Sequence, residues 1–237
     1  MWSGPRNLST AMMRSFGNRS DTLVSDEPFY GAYLRDSGAP HPMREEVMAA
    51  MDCGWESVAR TLSGPCPGGQ AIWYQKHMSH HMIGPVGFDD LAGFTHAFLI
   101  REPARMIASY LRARESAAFE DLGLERQADI FAREADRLGR APPVADAADL
   151  LSAPEPVLAA LCGALGIPYD AAMLAWPAGR RSTDGIWASH WYAGVEASTG
   201  FGPPETGSVT LDSAAARLAD RCRPYYERLA AHRLRAG

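Results

Sequence analysis

The stretch Ser3-Gly4-Pro5-Arg6-Asn7-Leu8-Ser9-Thr10 decides how the start of this sequence is interpreted. Its small and hydroxyl residues predict a turn that runs into an amphipathic helix over residues 8–16. Backbone N–H groups and the positive end of the helix dipole gather at such a turn, and both attract phosphate. Arg6 adds a full positive charge there. The stretch predicts a phosphate-binding loop, with an ordinary helix start capped by Ser3 or Asn7 as the alternative.

A second segment, residues 98–110, reads Phe-Leu-Ile-Arg-Glu-Pro-Ala-Arg-Met-Ile-Ala-Ser-Tyr. Its apolar start predicts a strand that ends at Arg101, and the turn at Pro103 begins a helix that carries Ser109. An arginine can bind a terminal phosphate through two parallel hydrogen bonds, and a serine hydroxyl can reach the same group. The segment therefore predicts a second phosphate-binding element. The alternative is a surface helix with a basic first turn.

Strand and helix patterns alternate along the chain in the manner of α/β proteins. Short apolar runs, typical of buried parallel strands, occupy residues 22–25, 71–75, 97–101 and 144–146. Helices are predicted over residues 8–16, 43–62, 104–114, 124–138, 154–165 and 213–233. With 237 residues and 46% hydrophobic content, the chain is predicted to form one α/β domain over residues 1–237, a central parallel sheet flanked by helices.

Charge and cysteine content exclude several classes of protein. The net charge of -5 lacks the basic excess of a general nucleic-acid binder, so any phosphate site has to be local. The four cysteines contain no Cys-x-x-Cys pair and are typical of reduced thiols. No apolar run is long enough to cross a membrane. We expect a cytoplasmic protein without a nucleic-acid or membrane partner.

The two phosphate elements resemble those of sulfotransferases that use 3'-phosphoadenosine 5'-phosphosulfate (PAPS), in particular a divergent bacterial branch. The first resembles the family's Pro-Lys-Ser-Gly-Thr-Thr loop, with Arg6 in place of lysine and Leu8 in place of glycine. The Arg180-Arg181 pair and the Gly185, Trp187 and His190 that follow resemble a family loop that returns to the 3'-phosphate. The resemblance implies a three-layer, P-loop NTPase-like fold and PAPS binding by Pro5, Arg6, Asn7, Leu8, Ser9, Thr10, Arg101, Ser109, Arg180 and Arg181.

The start of the chain departs from that family. A phosphate loop normally follows a central β-strand, and the family's members begin with several apolar residues that lead into it. Here only Met1 and Trp2 precede the loop. The first strand is therefore expected to be truncated, and the sheet to lack its central strand.

Lys76 is the only lysine among 23 basic residues and lies at the end of a predicted strand. The family carries Lys-x-His at this point, whereas Lys76 is followed by His77, His80 and His81. The resemblance implies that Lys76, with Arg6, neutralises charge on the leaving oxygen and that His77, or else His80, takes the acceptor's proton. A helical segment would place the three histidines on one face, as in a metal site, but no carboxylate or cysteine has matching spacing and no metal is expected.

Two carboxylates, Asp26 and Glu27, follow the second predicted strand, at the edge where open α/β sheets bind ligands. Glu27 is predicted to contact the acceptor or to act as an alternative base, as in some sulfotransferase branches, with His81 also at the acceptor. Asp26 is predicted to cap the next helix. Candidates for an apolar acceptor pocket are the aromatic residues Phe29, Tyr30, Tyr33, Trp187, Trp191 and Tyr192.

The predicted function is transfer of a sulfuryl group from PAPS to a hydroxyl or amine of a small-molecule acceptor. One alternative is a nucleotide-binding or phosphoryl-transfer P-loop protein, and another is a non-catalytic module with the same fold. The first loop lacks the Gly-x-x-x-x-Gly-Lys-Ser/Thr pattern of kinases and GTPases, which weakens the phosphoryl-transfer alternative. The sequence leaves open the acceptor, retention of turnover and formation of a homodimer.

Overall fold

A computed structural model describes residues 1–86 and 89–235. Its sheet has the strand order β2-β3-β1-β4-β5, and each neighbouring pair is parallel. The strands are β1 (Trp2–Ser3), β2 (Thr22–Asp26), β3 (Ile72–Met78), β4 (Phe98–Ile100) and β5 (Val144–Asp146). The predicted α/β fold, a central parallel sheet flanked by helices, is confirmed.

The short strand β1 occupies the centre of the sheet, so the expectation that the central strand is lacking is wrong. Trp2 pairs with His77 of β3 on one side and with Phe98 of β4 on the other. The Trp2 N–H donates to the Ala97 carbonyl at 2.8 Å, and the His77 N–H donates to the Met1 carbonyl at 2.9 Å. Two residues therefore bridge β3 and β4, whose facing backbone groups would otherwise be buried without partners.

Helices precede and follow the strands along the whole described chain, and those of its second half agree closely with the predicted ones. They are α1 (Ser9–Gly17), α2 (Tyr30–Ser37), α3 (Arg44–Ala50), α4 (Trp55–Leu62), α5 (Pro103–Leu111), α6 (Phe119–Leu122), α7 (Leu124–Leu138), α8 (Ala147–Ser152), α9 (Pro154–Leu165), α10 (Ala188–Trp191), α11 (Ala193–Glu196) and α12 (Ser213–Ala230). Short 3-10 helices cover Ser79–His81, Asp89–Leu91 and Ala171–Leu174. No helix in the described ranges has the length and apolar character that crossing a membrane requires.

The predicted helix over residues 43–62 is two helices, α3 and α4, and the reason is local. The Asp52 carboxylate accepts a hydrogen bond from the Gly54 N–H at 2.8 Å and another from the Ser57 hydroxyl. A side chain that bonds nearby backbone in this way competes with the helical ladder and favours a turn. Apolar residues keep a helical spacing through this turn, so the sequence pattern did not indicate it.

The sheet brings the ends of distant segments to one edge. Its central strands are covered on both faces, and Phe98, Leu99 and Ile100 are almost wholly buried. Because neighbouring strands are parallel, their carboxyl ends lie at the same edge, which is where α/β sheets bind ligands. The register pairs Asp26 with Lys76, and β1 and β4 lead into the two predicted phosphate elements at this edge.

Candidate functional site

A cavity of about 520 Å³ opens at the carboxyl edge of the sheet. The start of α1, the ends of β2 and β3, helix α5 and the segment 187–202 all contribute to its wall. Of the predicted site residues, the wall includes Pro5, Arg6, Leu8, Ser9, Thr10, Glu27, Lys76, His80, His81, Arg101 and Ser109. It does not include Asn7, His77, Arg180 or Arg181.

The first phosphate element ends in a helix that no side chain caps. Leu8 is the N-cap of α1, has a left-handed backbone (φ 65°) and offers no hydrogen-bonding group. The first N–H groups of a helix lack partners within it, so these donors at Ser9 and Thr10 are available for an anion in the cavity. The alternative of an ordinary helix start capped by Ser3 or Asn7 is wrong. Ser3 belongs to β1, and the Asn7 amide is fully buried against backbone.

The left-handed backbone at Leu8 explains why similar loops carry glycine there, and it predicts an unusual stability difference. Leu8→Gly is expected to be more stable than Leu8→Ala by about 1 kcal/mol, because only the variant with a Cβ retains the left-handed strain. Urea unfolding of both variants measures the difference. Inside α1 glycine is less stable than alanine, so Ala11→Gly is expected to lower the free energy of unfolding by about 1 kcal/mol. A more stable Leu8→Ala would contradict the left-handed assignment.

The second phosphate element lies against the first. The Arg6 Nε donates to the Ser109 hydroxyl at 3.2 Å, and an Arg101 Nη donates to the Arg6 carbonyl. Arg101 is 7% exposed and also forms a two-point ion pair with Glu205. A carboxylate therefore occupies the part of Arg101 that the sequence assigned to a phosphate. The structure brings together Arg6, Arg101 and Ser109, which lie up to 103 residues apart.

Lys76 is the centre of a buried charged cluster. Its Nζ donates to Asp26 at 2.8 Å, to Glu27 at 2.6 Å and to the Tyr192 hydroxyl at 2.6 Å. The Tyr192 hydroxyl in turn donates to Asp26 at 2.8 Å. Burial opposes the charge on Lys76, but the two carboxylates outweigh it and raise the pKa of Lys76 well above its ordinary value. All three protons of a charged Nζ are thereby used. Asp26 binds Lys76 rather than capping α2, whose N-cap is Phe29.

Glu27 lies between this cluster and the cavity. Its backbone is left-handed (φ 46°), a conformation that costs a residue with a side chain roughly 1–2 kcal/mol. The turn is held by the Glu27 N–H, which donates to the Lys76 carbonyl at 3.0 Å. Burial raises the pKa of the Glu27 carboxyl, Lys76 opposes that rise and Asp26 adds to it. Its Oε1 accepts from Lys76, and its Oε2 lies 3.9 Å from His81 Nδ1.

The histidines near Lys76 do not share a face, because β3 continues through His77 and Met78 and is not followed by an α-helix. Side chains alternate along a strand, so His77 points away from the cavity that Lys76 faces. His77 stacks on Trp2 at 4.6 Å and is hydrogen-bonded to Gln75. This geometry does not agree with the prediction that His77 takes the acceptor's proton. Within the described part of the chain, no three His, Cys, Asp or Glu side chains are grouped as metal ligands.

His80 and His81 both line the cavity and are kept neutral. His81 stacks on the rings of both Tyr30 and Tyr33, at centroid distances of 4.7 Å and 4.6 Å. Burial lowers the pKa of His80 to about 3 and that of His81 well below its usual range. The Nδ1 atoms of both rings are buried and have no hydrogen-bond partner within the described residues. Each ring can therefore serve as a neutral acceptor or donor toward a ligand.

The Arg180-Arg181 pair lies outside the cavity. Arg180 is exposed, and an Arg181 Nη donates to the Pro177 carbonyl at 3.2 Å. The same loop is anchored instead by Asp184, which pairs with Arg14 at 2.7 Å, and by the Gly185 N–H, which donates to Asp26 at 3.2 Å. The resemblance had assigned both arginines to the 3'-phosphate. In the structure, this loop supports the buried cluster around Lys76.

The wall of the cavity contains some aromatic residues that the sequence predicted and several residues that it did not. Tyr30, Trp187, Trp191 and Tyr192 line the cavity as the aromatic pattern suggested. Phe29 and Tyr33 do not, because Phe29 packs on Trp55 and Tyr33 on His81. Nothing in the sequence indicated that Tyr192 bonds Lys76, 116 positions away. Other wall residues that carried no signal are His41, Tyr110, Arg112 and Arg114.

Two proteins of known sequence are similar to this chain over almost its whole length. Two proteins of Arabidopsis thaliana, named branched-chain-amino-acid aminotransferase-like proteins 2 and 1, are 35% and 36% identical over 231 residues, 98% of this chain. The chain spans 41% of the length of each of these relatives. These names describe the longer plant proteins.

Two solved structures of sulfotransferase domains were found in the comparison with this chain. The domain from the curacin biosynthetic pathway has a TM-score of 0.50 at 14% identity, covering 94% of this chain and 95% of that one. The domain from the Synechococcus PCC 7002 olefin synthase has a TM-score of 0.49 at 15% identity, covering 93% and 92%. The sequence model described as the sulfotransferase domain matches residues 1–233. The chain belongs to the sulfotransferase domain family, which has the P-loop NTPase-like fold.

Proposed function

We propose that this chain transfers a sulfuryl group from PAPS to a hydroxyl of a small acceptor. The observation that carries the proposal is that one cavity contains an uncapped helix start, the linked Arg6, Ser109 and Arg101 side chains, and Glu27. The first two features suit the two phosphate ends of a nucleotide, and Glu27 suits proton removal. Membership of the sulfotransferase domain family supports the same reaction class.

The residues that would hold the donor fit an anion. The N–H groups at the start of α1, with Ser9 and Thr10, suit the 5' end. Arg101 and Ser109 suit the 3'-phosphate, since Arg101 already holds a carboxylate through two nitrogens. Among the described residues, Arg6 donates only through Nε, which leaves its Nη groups for charge that develops at the leaving oxygen. Bound PAPS supplies the sulfuryl group, and adenosine 3',5'-bisphosphate leaves.

Glu27 is the proposed base. Its Oε2 carries no hydrogen bond to any residue that the structure describes, and the raised pKa makes this carboxylate a better proton acceptor than an exposed one. The acceptor's O–H proton passes to Oε2 as the acceptor oxygen bonds to sulfur and the bond from sulfur to the leaving oxygen breaks. His81, 3.9 Å from Oε2, contacts the acceptor.

Lys76 acts in this proposal mainly by positioning Glu27. A direct hydrogen bond from Nζ to the leaving oxygen would require Lys76 to release Asp26, Glu27 or Tyr192, because all three protons are in use. Keeping those bonds fixes Glu27 Oε1 and leaves Oε2 directed to the cavity. Arg6 therefore takes over the charge-neutralising role that the sequence assigned jointly to Arg6 and Lys76.

Calorimetric titration tests the proposed donor site. Adenosine 3',5'-bisphosphate is expected to bind at least tenfold more tightly than 5'-AMP, because only the first carries the phosphate that Arg101 and Ser109 would hold. Equal affinity for both nucleotides, or binding of ATP with magnesium in preference, would favour the phosphoryl-transfer alternative. A tight bisphosphate complex that transfers no sulfuryl group from PAPS to any acceptor would instead favour the non-catalytic alternative.

The ion pair between Arg101 and Glu205 predicts that the Glu205 carboxylate competes with a bound phosphate for Arg101. Glu205→Gln is expected to tighten binding of adenosine 3',5'-bisphosphate about 3- to 10-fold, because a phosphate no longer has to displace a partly exposed carboxylate. Titration of Glu227→Gln, an exposed position on α12, is the control and should match the unaltered chain. Unchanged or weaker binding by Glu205→Gln would show that Glu205 does not compete for the site.

A further inference from the structure

The cavity has a second polar region, away from the phosphate elements, which we call the acceptor end. It is formed by Tyr30, His41, His80, Arg114 and Trp191, all of which line the wall. Its cation is Arg114, whose guanidinium lies 4.6 Å from the centre of the Trp191 ring. Arg114 is half-buried, and no ion pair among residues 1–86 and 89–235 includes it. Of the other cations in the wall, Lys76 and Arg101 are paired with carboxylates. Arg6 and Arg112 have no ion pair among the described residues either, but burial and then the charge of Arg112 lower the pKa of Arg6, so Arg112 belongs with the phosphate elements.

The groups around Arg114 do not neutralise it. Burial, with a smaller contribution from the positive charge of Arg114, lowers the pKa of His41 to about 4 and that of His80 to about 3, so both rings are neutral at pH 7. The nearby Asp121 carboxylate accepts the Ala118 N–H at 3.0 Å, at the start of α6. The acceptor end therefore presents one positive charge with aromatic surface beside it.

The acceptor end is close to the proposed base. Tyr30 stacks on His81, donates to or accepts from His41 Nδ1 at 2.8 Å and meets the Trp187 ring edge-on at 5.0 Å. Burial raises the pKa of Tyr30, Glu27 raises it further and Arg114 lowers it, so both charges act on this one ring. Glu27, Tyr30 and Arg114 all line the same cavity. A small molecule in that cavity can therefore contact both charged groups.

We propose that the acceptor is a hydroxylated aromatic compound that carries a carboxylate, with its hydroxyl at Glu27 and its carboxylate at Arg114. The aromatic walls of Tyr30, Trp187 and Trp191 favour a ring between the two groups. The Arg114 guanidinium, which forms no ion pair with any described residue, matches one carboxylate in charge and in planar, two-point geometry. Arg114 is then a specificity-determining residue. This inference rests on the proposed function, which supplies the role of Glu27.

A matched pair of probes tests it by calorimetry. 4-Hydroxyphenylacetate and 4-hydroxyphenylacetamide differ only in the charge of the group that Arg114 would hold. The acid is expected to bind the chain at least tenfold more tightly than the amide, in the presence and in the absence of adenosine 3',5'-bisphosphate. Arg114→Gln should remove that difference, and Arg114→Lys should retain part of it.

The control is Arg126→Gln, an exposed arginine on α7, which should preserve the preference for the acid. Thermal unfolding of each variant establishes that it is folded. Equal binding of acid and amide, binding of neither, or a preference that persists in Arg114→Gln would overturn the inference. Failure of adenosine 3',5'-bisphosphate to bind would instead count against the proposed function, while the preference measured without nucleotide still decides the role of Arg114.

Discussion

Lys76→Met is expected to lower the free energy of unfolding by about 3–5 kcal/mol, the largest stability effect of any single substitution considered for this chain. The substitution removes the cation between Asp26 and Glu27 and leaves two carboxylates without it. Lys76 is 1% exposed, and the Asp26 side chain is 2% exposed, so water cannot replace the lost partner. Urea unfolding followed by circular dichroism measures the effect.

The control for Lys76→Met is the same substitution combined with Glu27→Gln. Removing one carboxylate together with the cation leaves less uncompensated charge, so the double variant is expected to be more stable than Lys76→Met alone. Such non-additivity is the signature of direct contact between the two groups. If Lys76→Met unfolds at the same urea concentration as the unaltered chain, the buried cluster described above does not exist in solution.

Arg101→Ala is expected to weaken binding of adenosine 3',5'-bisphosphate about 10- to 100-fold, because two hydrogen bonds to a charged phosphate are lost. Binding of 5'-AMP should change much less, since that nucleotide has no phosphate for Arg101 to hold. Calorimetry on both nucleotides measures the difference. Arg101→Lys should fall between, because lysine keeps the charge but lacks the planar two-point donor.

Arg105→Ala is the matched control for this experiment. Arg105 lies four residues further along the chain, at the start of the same α5, and donates to the Gly207 carbonyl without lining the cavity. It should leave both affinities nearly unchanged. Equal weakening of both nucleotides in Arg101→Ala would assign Arg101 to support of the loop, through its bond to the Arg6 carbonyl, and not to the 3'-phosphate.

Local patterns in the sequence were sufficient for much of the fold. The bounds of α7 and of β5 agree with the predicted ones, because an apolar stripe with period 3.6 and a buried apolar run are properties of consecutive residues. Gly139 and Gly166 end α7 and α9 with left-handed backbones, as glycine allows. Where a side chain such as Asp52 overrides the apolar period, as between α3 and α4, the same reasoning failed.

The same distinction, between what local sequence patterns specify and what they do not, applies to the candidate site. The sequence by itself determined the α/β class, the placement of Arg6, Glu27 and Arg101 next to strand or helix ends, and the positions of Lys76 and Ser109 on the strand and the helix nearby, since each follows from a short motif. Only the tertiary structure decided that His77 faces away, that Arg180 and Arg181 lie outside the cavity, that Tyr192 and Arg114 line it, and that Glu205 pairs with Arg101. Those outcomes depend on strand register and on loop packing across a hundred or more residues, and no local periodicity specifies either one.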